Sequence, residues 1–249
     1  MAIHIARNED VIPRYDEAGF SREEVLAGTY SGGIRNYKCF LKAGSSVSPE
    51  LYPDKLVLFF FGRGKGYVSD AADAYHIEEL CFYAPHFDKV SYEIHAVTDL
   101  EFMMCIVEMN QWDWKVYNGS HIRLPFFRTV SKCVKYDQDC KGPNTTSWFV
   151  ITGGQLGRIM IGVVRAVGEG TTEEGHPAVE QWNYCVGDSD FSLTVDGETV
   201  RTRAGDFSYV PAGLDHSLVA EPGKEVYYVW FEHFTKEKDF IVKPLPEKK

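Results

Sequence analysis

The sequence predicts an all-β protein built as two barrels in one chain, and three observations predict it. From Asn36 onward the chain is a series of short runs rich in β-branched and aromatic residues, each bounded by Gly, Pro, Asp or Ser. No long stretch of 3.6-residue periodicity interrupts them. The runs fall into two sets, about 36–110 and 146–235, that read as one pattern written twice. At 249 residues the chain has material for both barrels.

Taken in order, residues 1–35 form an N-terminal arm in which Ser21–Leu26 (SREEVL) reads as a short helix, with Ser21 as cap and two glutamates in the first turn. The first barrel follows in NYKCFLKA, KLVLFFFG, GKGYVSD, AYHIEELCFYA, KVSYEIHAV and LEFMMCIVEM. Residues 111–145 are less regular, carry the turn signal KGPN, and read as a connection. In the second barrel, Asp196-Gly197 marks a hairpin. Residues 236–249, charged and containing Pro, read as a surface tail.

Composition narrows the function. There are 26 Lys and Arg against 36 Asp and Glu, a formal charge of −10, without a basic cluster. Phosphate backbones need a positive surface, so nucleic acid is excluded as a partner. No apolar run approaches the roughly 18 residues that span a bilayer, and the N-terminus lacks a basic segment followed by an apolar one, so a cytoplasmic location without a membrane partner is the expectation. The six cysteines are scattered without a C-x-x-C pair and read as free thiols.

The stretch that carries chemistry is Gly205–His216, GDFSYVPAGLDH. Pro211 fixes φ and Gly213 permits angles closed to other residues, so a strand ends in a rigid turn that holds His216 at an edge. Upstream, Gly168, Glu174, His176, Glu180 and Gly187 stand at regular intervals. These spacings resemble the two motifs of the cupin superfamily. Gly205, Pro211, Gly213 and His216 match the second motif, with Ala220 in place of its final asparagine; in the first, Glu174 stands where the family has a histidine. The resemblance implies a bicupin, two double-stranded β-helix (jelly-roll) barrels, whose C-terminal barrel alone holds a metal. In the first half the corresponding slots hold Glu50, Tyr52, Lys55 and Val90. The Glu-x-His pair is also similar to the manganese-dependent ureidoglycine aminohydrolases, which carry His where Glu180 stands and Gln where His216 stands.

Strand alternation supports convergence of Glu174, His176, Glu180 and His216, with Gln181 the alternative to Glu180 if the strand is bulged. Two imidazoles and two carboxylates suit Mn, Fe, Zn or Ni, and the charge of the carboxylates favours Mn or Fe. By the same parity Trp182 and Tyr184 would line the pocket as substrate contacts or as core, and Arg165 would hold a substrate anion, pair with Glu174 or face outward. Glu180 is the candidate proton-transfer group. The expected function is metal-dependent hydrolase, lyase or isomerase chemistry on a small polar metabolite (carbonyl, hydroxy-acid, amide or sugar-like). The alternative is a non-catalytic barrel that binds a sugar or acid around a structural metal. Exposed sheet edges and faces are compatible with a homodimer.

Overall fold

A computed structural model describes residues 3–29 and 33–236. The first half contains β1 (His4–Ala6), β2 (Phe20–Val25), β3 (Ile34–Leu41), β4 (Ser46–Val47), β5 (Lys55–Arg63), β6 (Gly66–Asp70), β7 (Ala74–Ile77), β8 (Cys81–Ala84), β9 (Tyr92–Ala96) and β10 (Leu100–Glu108). Helix α1 (Gln111–Gly119), β11 (Phe126–Thr129) and β12 (Val134–Tyr136) form the connection. The second half contains β13 (Thr146–Ile151), β14 (Ile159–Val167), β15 (Gly170–Glu173), β16 (Val179–Cys185), β17 (Asp190–Val195), β18 (Glu198–Arg203), β19 (Phe207–Val210), β20 (His216–Val219) and β21 (Glu225–Phe234).

Each half pairs a large sheet with a small one. In the first, β11-β8-β5-β10-β3-β2 faces β4-β9-β6-β7; in the second, β1-β19-β16-β21-β14-β13-β12 faces β15-β20-β17-β18. Period-2 alternation gives each large sheet two apolar faces and so yields three cores. Phe59, Phe61, Ile94 and Phe102 fill the N-terminal barrel. Val164, Cys185, Leu218 and Tyr228 fill the C-terminal one. The third core lies between the large sheets, where Phe60 meets Phe231 with ring centroids 6.0 Å apart.

The segment read as a helix is strand β2, paired with β3 from Phe20↔Leu41 to Val25↔Asn36. The ladder offered by β3 outweighs the local preference of SREEVL. The edge strands are exchanged between halves: β1 pairs with β19 of the second barrel, and β11, from the connection, pairs with β8 of the first. Buried Lys38 fastens the arm at this junction, ion-paired to Glu101 at 2.9 Å and donating to Asn8 Oδ1 and the Gly205 carbonyl. Helix α1 opens with a capping box, Asn110 accepting from the Asp113 N–H at 2.9 Å. Asp113 also takes a forked pair from Arg158 at the start of β14, 3.0 Å to Nε and 3.1 Å to Nη2. Asp196 (φ 47°) and Gly197 (φ 80°) make the hairpin turn between β17 and β18. All six cysteines are free thiols. Among the described residues no helix is long and apolar enough to cross a membrane. Residues 237–249, nearly all of the expected tail, lie outside the described residues.

Candidate metal centre in the C-terminal barrel

Two strand ends and two loops build the site. β15 runs antiparallel to β20 with Glu173 opposite His216, so the last residue of one strand faces the first of the other. The chain then turns through residues 174–178, where the Val179 N–H closes back on the His176 carbonyl at 3.1 Å. This turn is clamped to the one before β20. The Gly213 N–H donates to His176 O at 2.9 Å, and the Gly175 N–H donates to Asp215 Oδ1 at 2.8 Å. A Cβ on Gly175 would stand 2.4 Å from the Gly213 carbonyl, so the close approach requires that glycine, while Gly213 is required by its own φ of 85°.

The result brings Glu173, His176 and His216 together. Glu173 Oε2 lies 3.5 Å from His176 Nε2 and 4.0 Å from His216 Nε2, and the two imidazole centroids are 6.2 Å apart. His216 is buried. Its Nδ1 faces the Leu214 carbonyl at 3.2 Å, while Nε2 is buried without a hydrogen-bond partner. A neutral imidazole that spends Nδ1–H on a backbone carbonyl presents a lone pair at Nε2, the arrangement that orients a metal-binding histidine. Burial pushes the His216 imidazole below its usual range. Contact with Glu173 raises that of His176. For Glu173 burial opposes ionisation, but the two histidines and Lys141 outweigh it and the carboxyl is held down.

A cavity of about 220 Å³ opens beside this cluster, with Glu173, His176, Gln181, Glu232, Tyr136 and Gln138 as its polar wall and Tyr228 and Trp230 among its aromatic ones. Gln181 and Glu232 are cross-strand partners on β16 and β21. Burial pushes the Glu232 carboxyl up to about 7.

Several sequence expectations are corrected here. Glu174 lies beyond the end of β15 and is exposed; its neighbour Glu173 holds the inward position. Glu180 faces away from the barrel, buried between the two large sheets, where it accepts from the Tyr209 hydroxyl at 2.9 Å. Trp182 and Tyr184 share its face: Trp182 stacks on Phe231 with centroids 5.2 Å apart, and Tyr184 packs on Gly62. Parity counted from His176 fails because alternation does not survive the turn at 174–178. Gln181, the alternative, is the inward residue without need of a bulge. Arg165 points outward and pairs with Glu225 at 2.6 Å. Glu232 and Lys141 were missed, although Glu232 carries a signal: it follows Val226, Tyr228 and Trp230 at period 2, a carboxylate on the inward face of an apolar strand.

No family model and no curated protein sequence matches the chain. Solved structures do. A glyoxylate-induced protein from Pseudomonas aeruginosa superposes with a TM-score of 0.75 at 12% identity over 94% of this chain and 90% of that one. A formate complex of Lactobacillus farciminis oxalate decarboxylase gives 0.68 at 13% identity, over 93% and 86%. A cupin 2 conserved barrel domain protein from Leptotrichia buccalis gives 0.62 at 12%, over 93% and 96%. The fold is that of the cupins. Two barrels of this fold stand in one chain, and the likeness at these identities extends to the fold alone.

The donor set of the C-terminal barrel fits a divalent ion. Two donors each about 2.1 Å from one ion stand roughly 3 to 3.5 Å apart. The Glu173–His176 separation of 3.5 Å falls at that limit, and the Glu173–His216 separation of 4.0 Å is slightly wider. Among the described residues no three His, Cys, Asp or Glu side chains are already closed around one point. The fit therefore rests on the donor types and on the orphaned Nε2 of His216.

Proposed function

We propose that the protein is a metal-dependent enzyme acting on a small polar metabolite at the mouth of its C-terminal barrel. One observation carries the reading: the buried, unpartnered Nε2 of His216, set with His176 around the Glu173 carboxylate. A buried polar atom without a partner costs free energy, and a bound ion would remove that cost. Glu173, His176 and His216 would hold it. Two imidazoles and one carboxylate suit Mn²⁺ and Fe²⁺ and also admit Zn²⁺ or Ni²⁺. When bound, such an ion polarises a carbonyl or hydroxyl oxygen of the substrate.

The remaining work falls to the chain. Glu232 lines the cavity, and no described side chain hydrogen-bonds or ion-pairs with it, so its carboxyl is free to give or take a proton. The Gln181 amide, turned toward Asn183 at 2.9 Å, offers a neutral polar contact beside it. Tyr228 and Trp230 exclude water from one wall. Hydrolysis, elimination and isomerisation all use these parts, and Glu232 replaces Glu180 as the proton-transfer group.

Elemental mass spectrometry on untagged protein tests the reading. Near-stoichiometric Mn, Fe, Zn or Ni is expected in the wild type and in Glu180→Gln, and its loss in His176→Ala/His216→Ala. A wild type that takes up no metal even after reconstitution would sink the catalytic reading and leave a ligand-binding barrel.

A further inference from the structure

We infer that the substrate is a small carboxylic acid and that Lys141, delivered by the segment joining the two barrels, is the residue that selects it. The inference rests on the site proposed above and deepens it.

The connecting segment is laid along β15. Lys141 bridges Thr171, the Thr172 N–H donates to the Cys140 carbonyl at 3.2 Å, and the Gly142 N–H donates to Gly170 O at 3.2 Å. Lys141 thus stands behind the cavity wall, opposite Thr171 and two residues before Glu173 along the partner strand. Its Nζ donates to Tyr136 OH at 2.9 Å and to the buried Ser147 Oγ at 2.9 Å, 4.4 Å from the centre of the Tyr136 ring. Tyr136 in turn lines the cavity.

Lys38 provides the contrast. Where a buried ammonium serves the fold, the chain supplies a carboxylate, Glu101 at 2.9 Å. Among the described residues Lys141 has no such ion pair and is held by neutral hydroxyls. Burial lowers its proton affinity, and the main opposing attraction comes from Glu173, which is engaged with two imidazoles. A partly desolvated ammonium without a direct ion pair favours an anion in the cavity beside it. Charge balance agrees: a divalent ion and Lys141 carry three positive charges against the Glu173 carboxylate and the Glu232 carboxyl, two negative charges at most. The cavity, about 220 Å³, is below the roughly 300 Å³ at which drug-sized pockets begin, so the acid is small. Among the described residues no arginine lines the cavity, which fits the two oxygens of a carboxylate better than the crowded oxygens of a phosphate.

Calorimetry on the full-length, metal-loaded protein tests this with glycolate and lactate, their neutral amides glycolamide and lactamide, and inorganic phosphate. The acids should bind at least about tenfold more tightly than the amides. Lys141→Gln should erase that preference by weakening the acids alone, and Lys141→Arg should keep it. Equal affinity for acids and amides, an unchanged preference in Lys141→Gln, tighter binding of phosphate, or no binding of any probe would overturn the inference. Metal content is read on the same samples. A wild type without metal that still prefers acids through Lys141 refutes the metal reading and upholds this one. Metal lost only in Lys141→Gln makes Lys141 a prop of the centre and overturns its role in selection.

Discussion

The two barrels share a ladder and differ in what they put inside it. On the N-terminal side, Val57 of β5 lies opposite Ile106 of β10; at the corresponding rung of the C-terminal barrel, Gln181 of β16 lies opposite Glu232 of β21. The first residue of β9 is Tyr92, buried in a core, two places before the core residue Ile94. The first residue of β20 is His216, two places before the core residue Leu218. One barrel is closed by Phe59, Phe61 and Phe102 packed against each other, with centroids 5.1 to 6.1 Å apart. The other leaves polar groups around a cavity. The N-terminal barrel has a cavity of its own, about 380 Å³ at its β3 and β10 end, but its lining of Glu24, Arg35, Tyr37, Tyr52, Lys55 and Glu108 contains no histidine; on the function proposed above, the C-terminal barrel is the working half and the other the scaffold.

That division can be broken at three places. The largest effect is expected from Phe59→Ala, which opens a cavity in the N-terminal core: about 3–5 kcal/mol of stability by chemical denaturation, with metal content unchanged. Loss of metal in that variant would mean that the N-terminal barrel is more than scaffold.

Next, Gln181→Val/Glu232→Ile copies the N-terminal rung into the C-terminal barrel. Turnover should fall by about a hundredfold or more. Stability should change its pH dependence. A carboxyl whose folded pKa is raised to about 7 contributes stability that is present at low pH and lost as pH rises through 7, so the stability of the wild type relative to the variant, by urea unfolding between pH 5 and 8, should fall as pH rises.

The inter-barrel face supplies the opposite slope. His233 is buried there and its imidazole is held down to about 4, chiefly by burial, so its contribution is present above about 6.5 and is lost as pH falls toward 4. The shift corresponds to a loss on the order of 3 kcal/mol, and His233→Phe should remove that acid sensitivity in thermal melts. An unchanged acid slope in the variant would place the sensitivity elsewhere.

Much of this was written locally in the chain. Turn chemistry at Asp196-Gly197 and at Pro211-x-Gly213 depends on neighbouring residues, and both turns stand where the sequence places them. Runs bounded by Gly and Pro mark strands for the same reason. What local pattern could not carry was the relation between segments. Ser21–Leu26 takes its conformation from β3, eight residues beyond it, and the facing of Glu180 depends on a turn clamped from forty residues away by Gly213 and Asp215. A shift of one residue on each side of that turn turned Glu174 and Glu180 out of the site and brought in Glu173 and Gln181. Lys141 was less legible still, since nothing in KGPN announces that the connection will be laid against β15.

The exchanged edge strands make the repeat indivisible. A cut in the connection that freed the second half from Thr146 onward would keep Glu173, His176 and His216 together in sequence, but would strip β1 from β19 and remove Lys141. The complementary fragment ending at Glu108 would lose β11 from β8 and keep a β1 with nothing to pair against. Bare edges of this kind recruit strands from other molecules. Two barrels that look like modules therefore have to be expressed and permuted as one piece, and any splice that respects the fold must carry both crossovers with it.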